Sequence, residues 1–331
     1  MPYPQIYCSK GIVKMNILYF VVQSTFLFAM PLIIVALGGM FSVRAGIVNI
    51  ALEGKMIMGA FVGTFFIRSF QHIITGQPIL LIALFLGMIA GMIVSLLHAF
   101  ASINLKANQM ISGVAINMFV PAFTIYVSRT LIGTPNIVFE NQFRIDSVPL
   151  FGNIPVIGPM FFQNTYITTL LCFVILGVSA FVLYKTRFGL RLRACGEHPQ
   201  AADSVGINVT KIRYAGVIIS GALAGIGGVV YIIPISIVFD STVAGYGFLA
   251  LAVLIFGAWR PKRIMFAAFF FGLTQVIAVS SSVIPFINTL GIHANFFRML
   301  PFVATLVVLA FSSKKSQSPR AAGQPYDKGA R

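Results

Sequence analysis

Apolar runs of about twenty residues, repeated along the chain and broken by short polar turns, restrict its fold more than any other feature. A run of that length matches the hydrocarbon thickness of a bilayer, where a backbone must satisfy its own hydrogen bonds. Helices do so within one segment, so the pattern predicts an all-α, polytopic transmembrane helical bundle. Charge content agrees. Only 9% of the 331 residues are charged and 58% are hydrophobic, against about 25% charged in an ordinary soluble domain.

Spans are expected at roughly 17–41, 46–67, 79–101, 110–131, 165–183, 215–233, 264–284 and 296–311, about eight in all. Phe248 to Ala258 is short for a span and suits a half-helix. Residues 1–14 read as an N-terminal tail, 15–313 as one transmembrane domain and 314–331 as a polar tail expected to be disordered. The pairs Gly59–Gly63, Gly87–Gly91 and Gly221–Gly225 lie inside runs and suit close helix packing. A short internal echo, Met110-Ile-Ser-Gly113 and Ile218-Ile-Ser-Gly221, opens two of the runs.

The net charge is +16. In a soluble chain that would suggest nucleic acid, but no basic patch here is interleaved with aromatics on a polar face. The basic residues instead flank the runs. Arg44, Lys106, the 184–214 loop, Arg260 to Arg263 and the C-terminal tail hold sixteen Lys and Arg, and the opposite turns hold six. The first side is therefore expected to be cytoplasmic, with the N-terminus outside and the C-terminus inside. Trp259 is expected as an interfacial aromatic in the basic turn.

No chemistry-bearing set emerges. Cys8, Cys172 and Cys195, like the four histidines, are scattered, so neither a disulfide framework nor a metal site is expected. Gly54-Lys55 lacks the glycine and the Ser or Thr of a phosphate loop. Asn208-Val-Thr210 fits a glycosylation acceptor but falls on the expected cytoplasmic side. No catalytic residue and no cofactor is expected.

Two polar features stand out. Glu53 lies at span depth, where a charge is costly and usually meets a partner or an aqueous cavity. It either pairs with Arg44 or Lys55, fixing the bundle, or lines a path. Asn49, four residues earlier, would share its helix face. Gln109 and Asn117 give a second polar set in the fourth run. These amides and the carboxylate suit either a polar ligand or interhelical hydrogen bonds. The second feature is the loop Tyr184 to Tyr214, with six basic side chains. Inside it, Pro199 suits a first helical position and Gly206 the residue past a helix end, so Pro199 to Val205 predicts a two-turn helix. Ala201 and Ala202 would give it a small face for a partner, with Glu197 beside it. A solvated loop that only obeys the charge rule is the plainer alternative.

Gly189-Leu-Arg-Leu-Arg-Ala-Cys-Gly-Glu-His-Pro-Gln-Ala-Ala-Asp-Ser-Val-Gly-Ile207 resembles the cytoplasmic loop of bacterial ABC-importer permeases of the ribose, branched-chain amino acid and nucleoside branch. His198 stands where Asn is common. Arg44-Ala-Gly-Ile-Val-Asn-Ile-Ala-Leu-Glu-Gly54, extending to Phe61, is similar to the nucleoside or simple-sugar subgroup, with Ala51 for the usual Gly. Residues 105–117 give a third match. The resemblance implies a non-enzymatic permease subunit in a bacterial cytoplasmic membrane, translocating a nucleoside or simple sugar. It implies an ATPase subunit, a second permease and an extracytoplasmic binding protein as partners. It also implies that 184–214 docks on the ATPase, with Arg193, Glu197, Pro199, Ala201, Ala202 and Gly206 at the contact. A secondary transporter or channel without an ATPase is the competing reading. It would need an intramembrane ion-coupling site of acids, and Glu53 is the only clear one.

Overall fold

In the computed structural model of the chain, the described residues are 10–140, 143–148, 154, 158–280, 296, 299, 303, 306 and 318–328. The expected span at 296–311, the end of the one at 264–284 and residues 1–9 of the expected N-terminal tail fall wholly or mostly outside them. Ten α-helices follow one another among the described residues: α1 Lys10–Arg44, α2 Leu52–Phe70, α3 Gln77–Ala99, α4 Gln109–Ile132, α5 Ile167–Lys185, α6 Arg187–Glu197, α7 Pro199–Ser204, α8 Val209–Ile235, α9 Tyr246–Phe256 and α10 Pro261–Val279. The all-α polytopic bundle is thus the fold. Among the described residues six helices, α1, α3, α4, α5, α8 and α10, are long and apolar enough to cross a membrane. Among the rest, α2 has 19 residues but carries Glu53, Lys55 and Arg68, and α9 has only 11.

Local chemistry sets the helix ends. Asn108 caps α4 by accepting the N–H groups of Met110 and Ile111 at 2.9 and 3.2 Å. Asn208 caps α8 through the Lys211 N–H at 2.9 Å, which gives the glycosylation-like triplet a structural role. Thr186 caps α6 through the Gly189 N–H at 3.1 Å. Pro78, Pro199 and Pro261 occupy first-turn positions.

The centre of the bundle is α1 packed on α8. From Ala29 to Phe41 every hydrophobic side chain of α1 is buried, as a helix surrounded on all sides requires. α4 and α5 are peripheral, and α5 turns Leu170, Val174, Val178 and Phe181 outward. Glycines set how closely α2, α3 and α8 approach. A β-carbon on Gly225 would overlap the Gly87 carbonyl, one on Gly59 the Gly225 carbonyl, and one on Gly91 the Gly221 carbonyl. The three small-residue pairs thus meet across one three-helix contact, except Gly63, which faces Val229.

One end of the bundle carries two short antiparallel strand pairs where the sequence predicts only loops. β1 (Ile137–Val138) pairs with β4 (Val238–Phe239), and β2 (Arg144–Ser147) pairs with β3 (Gln163–Tyr166). The other end gathers Arg44, Lys106, α6, α7, the turn before α10 and residues 318–328. Arg44 Nη2 donates to the Trp259 carbonyl at 3.2 Å and Nη1 lies 3.9 Å from Glu197. Trp259 is buried, so it does not serve as a free interfacial ring. The described part of the C-terminal tail differs from expectation as well: residues 318–328 are docked, with Ala321 buried.

Candidate functional site

The second run does not begin as a helix. α1 ends at Arg44, α2 starts only at Leu52, and the chain between them is irregular. Asn49 therefore does not share a helix face with Glu53. Gly46 begins the break with φ +92°, a conformation that excludes most side chains. Irregular backbone inside a membrane protein persists only where each polar group finds a partner, and here side chains from the surrounding helices supply them. Gln109 accepts the Val48 N–H at 2.7 Å. A ring nitrogen of His98 lies 3.2 Å from the Val48 carbonyl. Ser42 donates to the Ile47 carbonyl at 2.8 Å. Asn117 donates to the Ile50 carbonyl at 2.9 Å and accepts the Gly54 N–H at 2.8 Å.

Asn49 itself turns to α8 and donates to Ser220 at 2.7 Å, while Lys55 Nζ donates to its Oδ1 at 2.9 Å. Ser220 lies eleven residues into α8, or about 16 Å from that helix's end at 1.5 Å per residue. That is roughly the middle of a ~30 Å hydrocarbon core.

A second helix is interrupted where Tyr246 meets Tyr231, further along α8 than Ser220. After β4 the chain runs through Ser241, Ala244 and Gly245, all with positive φ, and α9 begins at Tyr246. Glu53 seats its carboxylate on this beginning. Oε1 accepts the Gly245 N–H at 2.9 Å and Oε2 the Gly247 N–H at 2.6 Å. A carboxylate here satisfies two of the four unpaired N–H groups of a helix start and meets the positive end of its dipole. Neither Arg44 nor Lys55 is the partner of Glu53. α9 is the half-helix that its length predicts. Gly247 is required by packing, because a β-carbon there would overlap the Glu53 backbone.

The four polar residues singled out in the sequence, Asn49, Glu53, Gln109 and Asn117, are thus brought together around two facing helix breaks. Each bonds to the protein's own groups. Sequence reasoning missed His98, Ser220, Ser241, Tyr231 and Tyr246. The rings of Tyr231 and Tyr246 lie 4.1 Å apart, and the buried hydroxyls of Tyr246 and Ser241 have no hydrogen-bond partner among the described residues. Ser112 and Ser220, the serines of the internal echo, bond His98 at 3.1 Å and Asn49 at 2.7 Å respectively. That repetition was the one sequence signal for either.

The loop between α5 and α8 folds into α6 and α7. α7 begins at Pro199 and ends at Ser204, one residue short of the expected Val205, and Gly206 has φ +82°. Ala201, Gln200 and Val205 are exposed, whereas Ala202 is turned inward against Cys195 and Val209. The small face is therefore split: Ala201 is available to a partner and Ala202 is core. Burial pushes the Cys195 thiol upward, and the nearby Arg213 guanidinium partly offsets this. Arg193 lies 5.5 Å from the centre of the Tyr184 ring. Glu197 accepts the Arg320 N–H at 3.3 Å.

Comparison with known proteins places this architecture. The guanosine ABC transporter permease protein NupQ of Bacillus subtilis is 42% identical over 96% of this chain and 99% of its own. The nucleoside ABC transporter permease protein NupC of Lactococcus lactis is 41% identical over 95% of this chain and 98% of its own. A putative glucose ABC transporter permease, TsgC13 of Haloferax volcanii, is 31% identical over 89% of this chain and 92% of its own. No solved structure matches. The family described as the permease component of the branched-chain amino acid transport system matches residues 21–309, and the chain is a multi-pass membrane protein that belongs to it.

Proposed function

We propose that this permease carries nucleosides inward across a bacterial cytoplasmic membrane, powered by a separate ATPase subunit. The observation that carries the reading is the pair of helix breaks, 45–51 and 240–245, joined through Glu53 inside the bundle, interrupted helices being where such transporters hold their cargo. The adjacent Tyr231 and Tyr246 rings, tilted by 38°, and the Tyr246 and Ser241 hydroxyls, without a partner among the described residues, suit a substrate with an aromatic base and a hydroxylated sugar. Relatives at 42% and 41% identity are named for guanosine and nucleoside transport. Asn49, Glu53, Gln109 and Asn117 act as positioning residues that keep both breaks in place. The exposed side of α7, with Ala201 and Val205, seats on the ATPase; Arg193, Glu197, Pro199, Ala202 and Gly206 shape and orient it. A second permease and an extracytoplasmic binding protein complete the importer. The second permease would resemble NupB of Lactococcus lactis, another nucleoside permease, 26% identical to this chain over 74% of its length.

The test is uptake of labelled guanosine, uridine and glucose by the reconstituted transporter. Nucleoside uptake dependent on ATP is expected, with a drop of tenfold or more in Tyr246→Phe at unchanged protein level. Uptake of glucose alone would overturn the nucleoside reading, and nucleoside uptake unaffected by loss of ATP would overturn the role of the ATPase.

A further inference from the structure

Arg213 is a charged side chain with 1% of its surface exposed and no carboxylate partner among the described residues. A buried guanidinium without compensation is strongly destabilising, so what it holds is informative. It holds the C-terminal turn. Nη1 donates to the Gln324 carbonyl at 3.1 Å, and the guanidinium lies 5.8 Å from the centre of the Tyr326 ring. Its other face meets Gly46, where a β-carbon would come within 3.0 Å of Nη2.

The turn reaches three further parts of the molecule. The Gly323 N–H donates to the Gly46 carbonyl at 3.2 Å, at the start of the break between α1 and α2. The Ala321 N–H donates to the Gly196 carbonyl at 2.9 Å, and the Arg320 N–H to Glu197, both at the hinge between α6 and α7. Asp327 pairs with Lys106 at 2.9 Å, at the turn before α4. A cavity of about 270 Å³ separates the turn from His198 and Gln200. The tail therefore grips the hinge that aims α7, packs Tyr326 against the cluster that holds Ala202 on the inner side of α7, and leaves Gln200 and Ala201 on its outer side exposed.

We propose that Arg213 and the turn it holds, residues 319–324, are the positioning link between the ATPase-docking loop and the mid-membrane break. A displacement of α7 reaches the Gly196–Glu197 hinge, passes through the bonded turn to Gly46, and so moves the segment that carries Asn49. This rests on α7 being the ATPase contact, and the experiment separates the two ideas.

The complete transporter is reconstituted with the wild-type chain, with a chain ended after Gln317, and with Arg213→Met and Arg213→Lys. Four quantities are read: membrane level, ATPase co-purification, ATP hydrolysis with and without guanosine-loaded binding protein, and guanosine uptake. The shortened chain and Arg213→Met are expected to keep the ATPase and its basal hydrolysis. Both should lose at least tenfold in uptake and in stimulation by loaded binding protein, and Arg213→Lys should recover part of each. Uptake within twofold of wild type in the shortened chain overturns the link. Loss of the ATPase from that chain also overturns it, since the tail would then be a docking piece. Should the shortened chain not accumulate, Gly323→Val, which strains a residue at φ +82°, decides by the same readouts. A reduced membrane level in every variant makes the tail purely structural and overturns the link. Failure of the wild-type ATPase to be released by a bulky residue at Ala201 sinks the α7 contact instead.

Discussion

At the residue scale, the amides and the carboxylate at the two breaks bond mainly to backbone groups. Asn117 satisfies two backbone groups at once, one on each side of the start of α2. Asn117→Ala orphans both, and about 1–3 kcal/mol is lost per buried unsatisfied group. A fall in the detergent-solubilised unfolding temperature and in uptake is expected, measured side by side. Glu53→Gln keeps the shape but gives the α9 N–H groups only one accepting oxygen, and it places an amide NH₂ against another donor. Stability and uptake should fall together; full stability with lost uptake would return Glu53 to the path itself. That a charge at this depth mattered was legible in the sequence. Its partners were not, because they are backbone N–H donors nearly two hundred residues away, and such donors leave no trace in residue type. His98 was hidden for a related reason: a single polar residue in an apolar run reveals nothing until the facing helix is known, and Ser220 showed only through the internal echo.

At the element scale, capping and turn chemistry were read most easily. Pro199 and Gly206 bracket α7 nearly as their residue types require, and the short length of the 248–258 run marked α9. The broken beginning of α2 was not legible, since residues 46–51 are as apolar as the helices around them and only Gly46 hints at the break. The inward turn of Ala202 was likewise missed, because two adjacent alanines look alike until one packs on Cys195 and Val209. They make a paired prediction. Ala202→Trp overpacks that cluster, with an expected loss of about 1–3 kcal/mol and a lower membrane level. Ala201→Trp points outward, so the protein should accumulate normally while ATPase co-purification drops. Gly206→Val forces a β-branched residue into left-handed backbone, a strain of about 1–2 kcal/mol, and uptake should fall without loss of the bundle.

At the scale of the whole molecule, charge asymmetry and apolar length carried the architecture. The two ends separate as the distribution of Lys and Arg predicts, with the basic loop, Lys106 and the C-terminal turn in contact at one of them. Single cysteines at Ser204 and Thr134 should label from opposite sides of the membrane, Ser204 from the cytoplasm and Thr134 from outside. Labelling of both from one side would reject the topology. The docked tail was the largest departure from expectation. Its composition is that of a solvated segment, and it is ordered by Arg213 and Gly46 together with the few apolar contacts of Ala321, Ala322 and Tyr326.

The glycine contact among α2, α3 and α8 has a kinematic consequence. Backbones held apart by no side chain can neither roll nor slide against each other without atoms colliding, so these three helices form one rigid stator. Whatever swings during a transport cycle must swing around it. Gly225→Leu would wedge the stator open, and a disulfide engineered between Gly91→Cys and Gly221→Cys, if formed, would need to separate those backbones first. A molecule with its stiffest contact beside the Asn49 break changes shape by moving its periphery.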